Sequence, residues 1–259
     1  MKIFISDIHL GDKSGSEDFQ YDKEFLDFLK WTDGKASEIV ILGDLYELWQ
    51  SRLEKIIWKH YEVIQALQAR EKKITYIFGN HDFLPFARTQ PEYCRQDNIY
   101  AVHGHQFDEY NKLGNPLKSI KWPIGRWVTL AVGEIERWFS PDADKWLQKQ
   151  REKLGDFYTQ AAVLQSRKWN HKDPKQVEAK VDYLKKVNNA KINIFGHTHK
   201  PEVCRMNIYE GLEEDDLYIY ANCGSWVGPN SPTFIAVEKN SVQLRNGLNF
   251  QVINEVSID

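Results

Sequence analysis

Six short apolar runs set the strongest constraint on how this chain folds. They are Ile3–Ile5, Ile39–Leu42, Ile74–Phe78, Ile99–Val102, Ile192–Phe195 and Tyr218–Ala221. Each run is a few residues long and rich in β-branched or aromatic side chains, which is typical of buried strands. Apolar residues at helical spacing occupy Phe25–Leu29 and Leu53–Leu67, so a helix is predicted between the second and third strands. The alternation of strands and helices predicts a layered α/β core.

Two segments depart from this alternation. Thr233–Val237 and Val242–Leu244 lie on either side of a turn-like Lys-Asn pair and predict a β-hairpin. Residues 107–190 carry apolar helical faces of their own and predict a helical insertion. We therefore expect a single domain over residues 1–259, with residues 107–190 as a helical cap within it.

Composition excludes several classes of protein. The chain has 34 Lys and Arg against 37 Asp and Glu, a net charge of −3, so we expect no nucleic-acid partner. Cys94, Cys204 and Cys223 form no C-x-x-C pair, which argues against a disulfide framework and fits a reducing cytosol. No apolar run is long enough for a signal peptide or for the ~20 residues that span a bilayer. A cytoplasmic protein is expected, and the sequence makes no prediction of its oligomeric state.

Five of the six predicted strands lead directly into residues that commonly bind metals. In chain order these residues are Asp7 and His9, Asp44, Asn80 to Asp82 with His81 between them, His103 and His105, and His197 and His199. In open α/β sheets, ligands bind beyond the carboxyl ends of the strands. We therefore expect the five clusters to converge on one edge of a mostly parallel sheet.

The residue types in these clusters indicate a particular chemistry. Carboxylates, an amide oxygen and imidazoles, without a thiolate, suit Mn²⁺, Fe or Zn²⁺. The clusters hold too many ligands for one ion and about enough for two. Two ions roughly 3.5–4 Å apart activate a bridging hydroxide and neutralise a phosphate during in-line attack. Because two dications outweigh the charges of Asp7 and Asp44, the site should attract an anionic substrate, which predicts phosphate ester hydrolysis.

The order and spacing of these clusters resemble a known family. Asp7-x-His9, Gly43-Asp44, the run 79–82, His103 and Gly196-His197-x-His199 resemble the signature of the calcineurin-like metallophosphoesterases. The resemblance implies a four-layer α/β fold, a β-sandwich core flanked by helices, here with a helical insertion. It also implies two divalent metal ions, of which Mn²⁺ is expected first, with Fe or Zn²⁺ as alternatives.

The resemblance also assigns roles to individual residues. The seven implied ligands are Asp7, His9 and His199 for the first metal, Asn80, His103 and His197 for the second, and Asp44 between the two. His81 is implied to stabilise charge at the phosphoryl group or to protonate the leaving oxygen. Asp82 is implied to orient the His81 ring. Glu47 and Arg52 follow the Gly43-Asp44 motif and either contact the substrate or are local charges.

Longer motifs narrow the resemblance to a substrate class. The runs 43–49 and 222–226 are similar to those of UDP-2,3-diacylglucosamine hydrolases and their homologues. This similarity implies cleavage of a pyrophosphate bond in a nucleotide-linked lipid, with a helical insertion that receives acyl chains. Two positions depart from those enzymes, since His81 stands where Arg is usual and His105 stands where they have Asp. A phosphodiesterase or phosphatase for soluble nucleotides therefore stays open, as does a scaffold protein without catalysis.

The insertion is rich in tryptophan and has its own set of interpretations. Trp122, Trp127 and Trp138 lie among other apolar residues and are interleaved with Lys121 and Arg126. Such side chains either pack the insertion on the core, line an apolar pocket, or contact a membrane surface, because aromatic and basic residues together favour the bilayer interface. Peripheral contact with the inner face of the membrane is thus one expectation.

Overall fold

The computed structural model describes residues 1–12, 19–48, 51–82, 89–91, 93–105, 190–206, 218–228 and 230–258. The strands are β1 (Lys2–Ile5), β2 (Glu38–Leu42), β3 (Ile74–Ile77), β4 (Tyr93–Gln96), β5 (Ile99–Val102), β6 (Ile192–Phe195), β7 (Glu202–Met206), β8 (Tyr218–Asn222), β9 (Thr233–Val237), β10 (Ser241–Asn246) and β11 (Val252–Ser257). The helices are α1 (Asp22–Thr32), α2 (Leu53–Lys59) and α3 (Tyr61–Gln68), and a 3₁₀ turn covers Glu71–Lys73. None of these helices is long and apolar enough to cross a membrane.

The strands form two sheets. Six strands lie in the order β11-β10-β9-β1-β2-β3, and five lie in the order β4-β5-β6-β8-β7. β1, β2 and β3 are parallel in the first sheet, and β5, β6 and β8 are parallel in the second. The α/β class and the sandwich core expected from the family resemblance are thereby confirmed. The expected insertion at 107–190 lies almost wholly outside the described residues.

Alternating side chains of the central strands supply two separate cores. Ile3 and Ile5 point to one face of β1 and pack with Phe25 and Phe28 of α1. Phe4 points to the other face and packs between the two sheets, in the same cluster as Ile194 of β6. Successive strand residues face opposite ways, so a strand covered on both faces is apolar throughout. This double burial explains why the central strands appear as continuous apolar runs in the sequence.

Three strands went unpredicted, and all three lie at sheet edges. β4 and β7 end the five-stranded sheet, and β11 ends the six-stranded sheet. β4 and β11 expose many of their side chains, so their sequences lack the apolar signal of a buried strand. The hairpin predicted near the C-terminus is confirmed as β9 and β10.

The helix predicted over Leu53–Leu67 is two helices. The break falls at His60, whose φ of −108° and ψ of 33° lie outside the α-helical region. Apolar periodicity continues through the break because α2 and α3 both pack against the same sheet, with Ile56, Val63 and Ile64 in one core cluster. Periodicity alone therefore missed a change of direction at a single residue.

The predicted convergence on one sheet edge needs a correction. β1, β2 and β3, which precede three of the clusters, belong to the six-stranded sheet. β5 and β6, which precede the other two, belong to the five-stranded sheet. The clusters meet because the parallel strands of both sheets end on the same side of the sandwich, so the site lies across two sheets.

Candidate metal centre

The loops that follow the strands have strained backbones at the predicted ligands. Among the described residues, seven that are not glycine have a positive φ. Five of these seven are predicted metal ligands, namely Asp7, His9, Asp44, His197 and His199, with φ between 50° and 68°. A residue with a side chain pays about 1–3 kcal/mol for such a conformation, and such residues concentrate at functional sites. The strain therefore marks these loops as the functional part of the fold.

Backbone hydrogen bonds hold the first two ligand loops together. The amide of Asp7 donates to the carbonyl of Gly43 at 3.2 Å, and the amide of His9 donates to the carbonyl of Asp44 at 2.9 Å. The amide of Trp226 donates to the Asp7 carbonyl at 2.9 Å, while its ring packs edge-on against Phe25 at 4.8 Å. The two loops are thus hydrogen-bonded to each other, and Trp226 connects them to the aromatic core beside α1.

The first ligand group joins Asp7, His9 and His199. Their ligand atoms lie within 4.8 Å of one another. Nε2 of His199 is 3.1 Å from Oδ1 of Asp7, and Nε2 of His9 is 3.8 Å from the same oxygen. Nε2 of His9 is buried and has no hydrogen-bond partner among the described residues. Ligands of one ion with bond lengths of about 2.0–2.2 Å stand about 3–4 Å apart, so the group fits a divalent metal.

The second group joins Asp44, His103 and His197. Nδ1 of His103 donates to the carbonyl of Leu42 at 2.6 Å, which leaves Nε2 facing the site. That Nε2 is 3.1 Å from Oδ1 of Asn80 and 3.1 Å from Oδ2 of Asp44. Fixing one ring nitrogen by a backbone carbonyl is a common way of presenting the other nitrogen to a metal. The second group therefore also fits a divalent ion.

Asp44 lies between the two groups. Its Oδ2 is 3.1 Å from Nε2 of His103 and 3.9 Å from Nε2 of His9, while its Oδ1 accepts the amide of His81 at 2.8 Å. Gly79 packs so closely on this carboxylate that a β-carbon there would overlap with it. The geometry is what a bridging ligand requires, and it explains the glycine before Asn80.

The motif at 222–226 holds one of the ligand loops in place. The side-chain amide of Asn222 donates to the carbonyl of Gly196 at 2.9 Å, and its oxygen accepts the amide of Gly224 at 2.9 Å. A β-carbon at Gly196 would overlap with Ser6. The motif therefore fixes the loop that carries His197.

Charge around the ligands shifts their proton affinities. Burial acts to raise the pKa of Asp7, but the imidazoles of His199 and His103 outweigh it and hold that pKa well below its ordinary value. The pKa of Asp44 is likewise lowered against burial, by His103 and His81. Burial opposes protonation of His103, yet Asp44 and Asp7 raise the pKa of its ring to about 9. Because a coordinating imidazole must be neutral, metal binding here releases protons.

Glu47 is one of the two residues whose role the sequence left open. Its buried carboxylate places Oε2 2.8 Å from Nδ1 of His9 and 2.7 Å from Nδ1 of His81. The two rings meet edge-on, with centroids 4.7 Å apart. One carboxylate oxygen thus orients both a candidate metal ligand and the candidate catalytic histidine. In the sequence, the feature that pointed to Glu47 was its position three residues after Asp44.

The hydrogen bonds that the structure gives to Asp82 are not with the ring of His81. Its carboxylate accepts the amide of Leu45 at 2.8 Å and the amide of Gly79 at 2.7 Å, and it also accepts the hydroxyl of Tyr76. These bonds tie the loop after β2 to the loop after β3. Burial and the charge of Asp44 raise the pKa of Asp82 to about 6. Glu47, and not Asp82, is therefore the carboxylate against the His81 ring among the described residues.

Three further residues named from the sequence also have defined places. His105 is buried beside His103, with ring centroids 5.4 Å apart. Arg52 is exposed and lies 4.0 Å from Glu54, as a local charge does. Cys223 is fully buried, and burial raises the pKa of its thiol well above the ordinary value, so it is packed as a small apolar side chain.

Acid should remove the contribution of Glu47 to stability. Burial acts to raise its pKa, but His81 and His9 lower it from 4.5 to about 2. The stability that ionised Glu47 supplies is therefore present above pH 4.5 and is lost as the pH falls toward 2. Ionised Glu47 contributes about 3 kcal/mol to the free energy of unfolding. We expect the difference in unfolding free energy between the wild type and Glu47→Gln, measured by urea denaturation in EDTA, to shrink over this range. A difference that stays constant, relative to the same change at exposed Glu62, would contradict the assignment.

The site combines carboxylate and imidazole groups at the strand ends of a two-sheet sandwich. One carboxylate, that of Asp44, joins the two ligand groups. This arrangement defines a metal-dependent hydrolase centre. A family model of calcineurin-like phosphoesterases matches residues 3–201. The chain belongs to this family.

The chain is also similar to curated relatives, and it shares its fold with a solved structure. UDP-2,3-diacylglucosamine hydrolase from Blochmanniella floridana is 27% identical over 271 residues, which cover 93% of this chain and 96% of the relative. The enzyme of that name from Blochmanniella pennsylvanica is 28% identical over 250 residues, with 87% and 89% covered. A dimetal phosphatase from Danio rerio shares the fold, with a TM-score of 0.51 at 12% identity over 99% of this chain and 98% of that one. The protein is a metal-dependent phosphoesterase.

Proposed function

We propose that this phosphoesterase hydrolyses the pyrophosphate bond of a nucleotide-linked lipid of the UDP-2,3-diacylglucosamine type. The observation that carries the reaction class is the carboxylate of Asp44, which faces both ligand groups, with His81 beside them. The relatives that share most of this chain's length support the substrate class. Two Mn²⁺ ions are the proposed cofactors.

The described residues have separate roles in this proposed reaction. When bound, the ions polarise the phosphoryl oxygens and lower the pKa of a water molecule. Asp7, His9 and His199 would hold one ion, Asn80, His103 and His197 would hold the other, and Asp44 would contact both. Burial opposes protonation of the His81 ring, but the charges of Glu47 and Asp44 raise its pKa above the ordinary value. A protonated His81 can stabilise the phosphoryl charge and donate its proton to the leaving oxygen.

The remaining proposals concern the insertion and the setting. Residues 107–190 form a cap within a single domain over 1–259, and the tryptophans of the cap receive acyl chains or contact the membrane surface. The protein is cytoplasmic and acts at the inner face of the membrane. Aromatic and basic side chains at this position in the chain support both statements, because a soluble substrate needs no such lining.

The test is UMP release from UDP-2,3-diacylglucosamine by Mn²⁺-loaded protein, with Asp44→Ala as the blank. A matched nucleotide sugar without acyl chains is the control substrate. We expect kcat/KM for the diacylated substrate to be higher by about tenfold or more, because each buried methylene contributes about 0.8 kcal/mol. Equal values for both substrates would contradict the lipid assignment.

A second candidate, hydrolysis of soluble phosphodiesters, is favoured by one observation. Nδ1 of His81, where the lipid enzymes usually have Arg, lies 2.7 Å from the buried carboxylate of Glu47. Cleavage of bis-p-nitrophenyl phosphate without any release of UMP would select this candidate and keep the two-metal chemistry.

A further inference from the structure

His60 lies at the break between α2 and α3 and has no part in the reaction described above. Its ring is buried, with 1% of the residue exposed. Nδ1 is 2.6 Å from Oδ1 of Asp22, the first residue of α1, and Nε2 is 2.9 Å from the carbonyl oxygen of Gly11. The ring of Phe19 meets it edge-on at 5.6 Å. Both ring nitrogens therefore have a partner at hydrogen-bond distance.

The chemistry of these partners fixes the protons on the ring. A backbone carbonyl only accepts hydrogen bonds, so Nε2 must carry a proton. The Asp22 carboxylate also accepts when ionised, and its side chain is 45% exposed to water. A neutral ring has only one N–H and would direct a lone pair at one of these oxygens. An imidazolium satisfies both contacts.

The carbonyl that His60 holds belongs to the loop of a metal ligand. Gly11 lies two residues after His9, whose φ of 50° is strained. Nζ of Lys59 also donates to the Gly11 carbonyl, at 3.1 Å. Two side-chain nitrogens from the α2–α3 junction, Nζ of Lys59 and Nε2 of His60, thus converge on one carbonyl of this loop. A strained conformation persists only where its surroundings hold it in place.

Asp12, the next residue of the loop, is anchored to the same region. Its carboxylate accepts the hydroxyl of Ser51 at 2.6 Å and lies 3.5 Å from Nζ of Lys55 in α2. Its amide donates to the Ser51 hydroxyl at 2.9 Å. The loop is therefore fastened to α2 at two consecutive residues, and the buried ring of His60 holds the carbonyl of the first.

We propose that His60 is an imidazolium that clamps Gly11 to α1 and so positions the His9 loop for metal binding. The proposal rests on the proposed metal site, because His60 acts through His9. His60 is a positioning residue, since it contacts neither the ligand atoms nor the substrate. Its effect should appear in metal affinity and not merely in stability.

Two measurements on the full chain test this role. In ¹⁵N long-range correlation spectra of histidine-labelled protein at neutral pH, both ring nitrogens of His60 should carry protons, the signal being assigned by its loss in His60→Gln. In calorimetric titration with Mn²⁺, His60→Gln should raise Kd by about tenfold, the lower end of the range for residues that support metal ligands. Val63→Ala, which removes buried apolar contacts from α3, should lower Tm but leave Kd within about twofold.

The outcomes separate this proposal from the proposed function. A His60 ring with one unprotonated nitrogen, or a Kd in His60→Gln equal to that of Val63→Ala, overturns the clamp. Wild-type protein that binds no Mn²⁺ overturns the proposed function and the clamp together. If His60→Gln does not fold, Asp22→Asn replaces it, because this change removes the negative charge and lets a side-chain amide donate to an unprotonated Nδ1. Asp22→Asn should leave the His60 ring with a single N–H and weaken Mn²⁺ binding.

Discussion

Replacing Asp44 with asparagine should lower the kcat/KM of metal-dependent phosphodiester hydrolysis by about 10³-fold, the equivalent of about 4 kcal/mol. Its Oδ2 is 3.1 Å from Nε2 of His103 and 3.9 Å from Nε2 of His9, so one carboxylate oxygen faces both ligand groups. The amide keeps the acceptor for the His81 backbone but removes the negative charge that two cations share. Hydrolysis of bis-p-nitrophenyl phosphate and metal content by mass spectrometry are the measurements.

Asp27→Asn is the matched control for this change. Asp27 lies on α1, is about half exposed, and pairs only with neighbouring Lys30 at 3.5 Å among the described residues. The control should keep wild-type activity and metal content, because exposed ion pairs contribute little. The bridging role would be contradicted if Asp44→Asn protein bound two metals per chain and kept a kcat/KM within tenfold of wild type. Its Tm separates loss of the site from loss of the fold.

The central strands were predictable because their burial is visible in composition. β1 packs Ile3 and Ile5 against helices and Phe4 against the second sheet, so every residue of the run is apolar. The candidate metal ligands were predictable for a related reason, since each group follows such a strand directly. What the pattern did not contain was the division of the strands into two sheets. That division depends on long-range pairing, such as that of β1 with β9.

Glu47 and Asp82 illustrate what spacing does not determine. Asp82 directly follows His81, which made it the expected partner of that ring, yet adjacent side chains need not face the same way. The amides of Leu45 and Gly79 converge on Asp82 and hold its carboxylate away from the ring. Glu47 comes from a different loop, and the pairing of the loops at Leu10 and Tyr46 brings it beside His9. Contacts between loops therefore had to come from the structure.

Replacing His81 with asparagine should lower kcat by about 10²–10⁴-fold, the usual contribution of a general acid or base. Metal content should not change, because His81 lies outside the two candidate metal groups bridged by Asp44. Single-turnover cleavage of a phosphodiester, together with metal analysis, measures both quantities. An unchanged kcat would remove His81 from the reaction.

Glu47→Gln is the variant to compare with His81→Asn. Glu47 contacts both His81 and His9 through the same carboxylate oxygen, at 2.7 and 2.8 Å. If Glu47 orients both rings, its loss should lower kcat as His81→Asn does and also weaken metal binding by about 10–100-fold. In the double variant the two changes in kcat should not add, since residues in direct contact are coupled. Additive effects would mean that Glu47 acts on catalysis through the metal ligand alone, and that the His81 ring keeps its orientation without it.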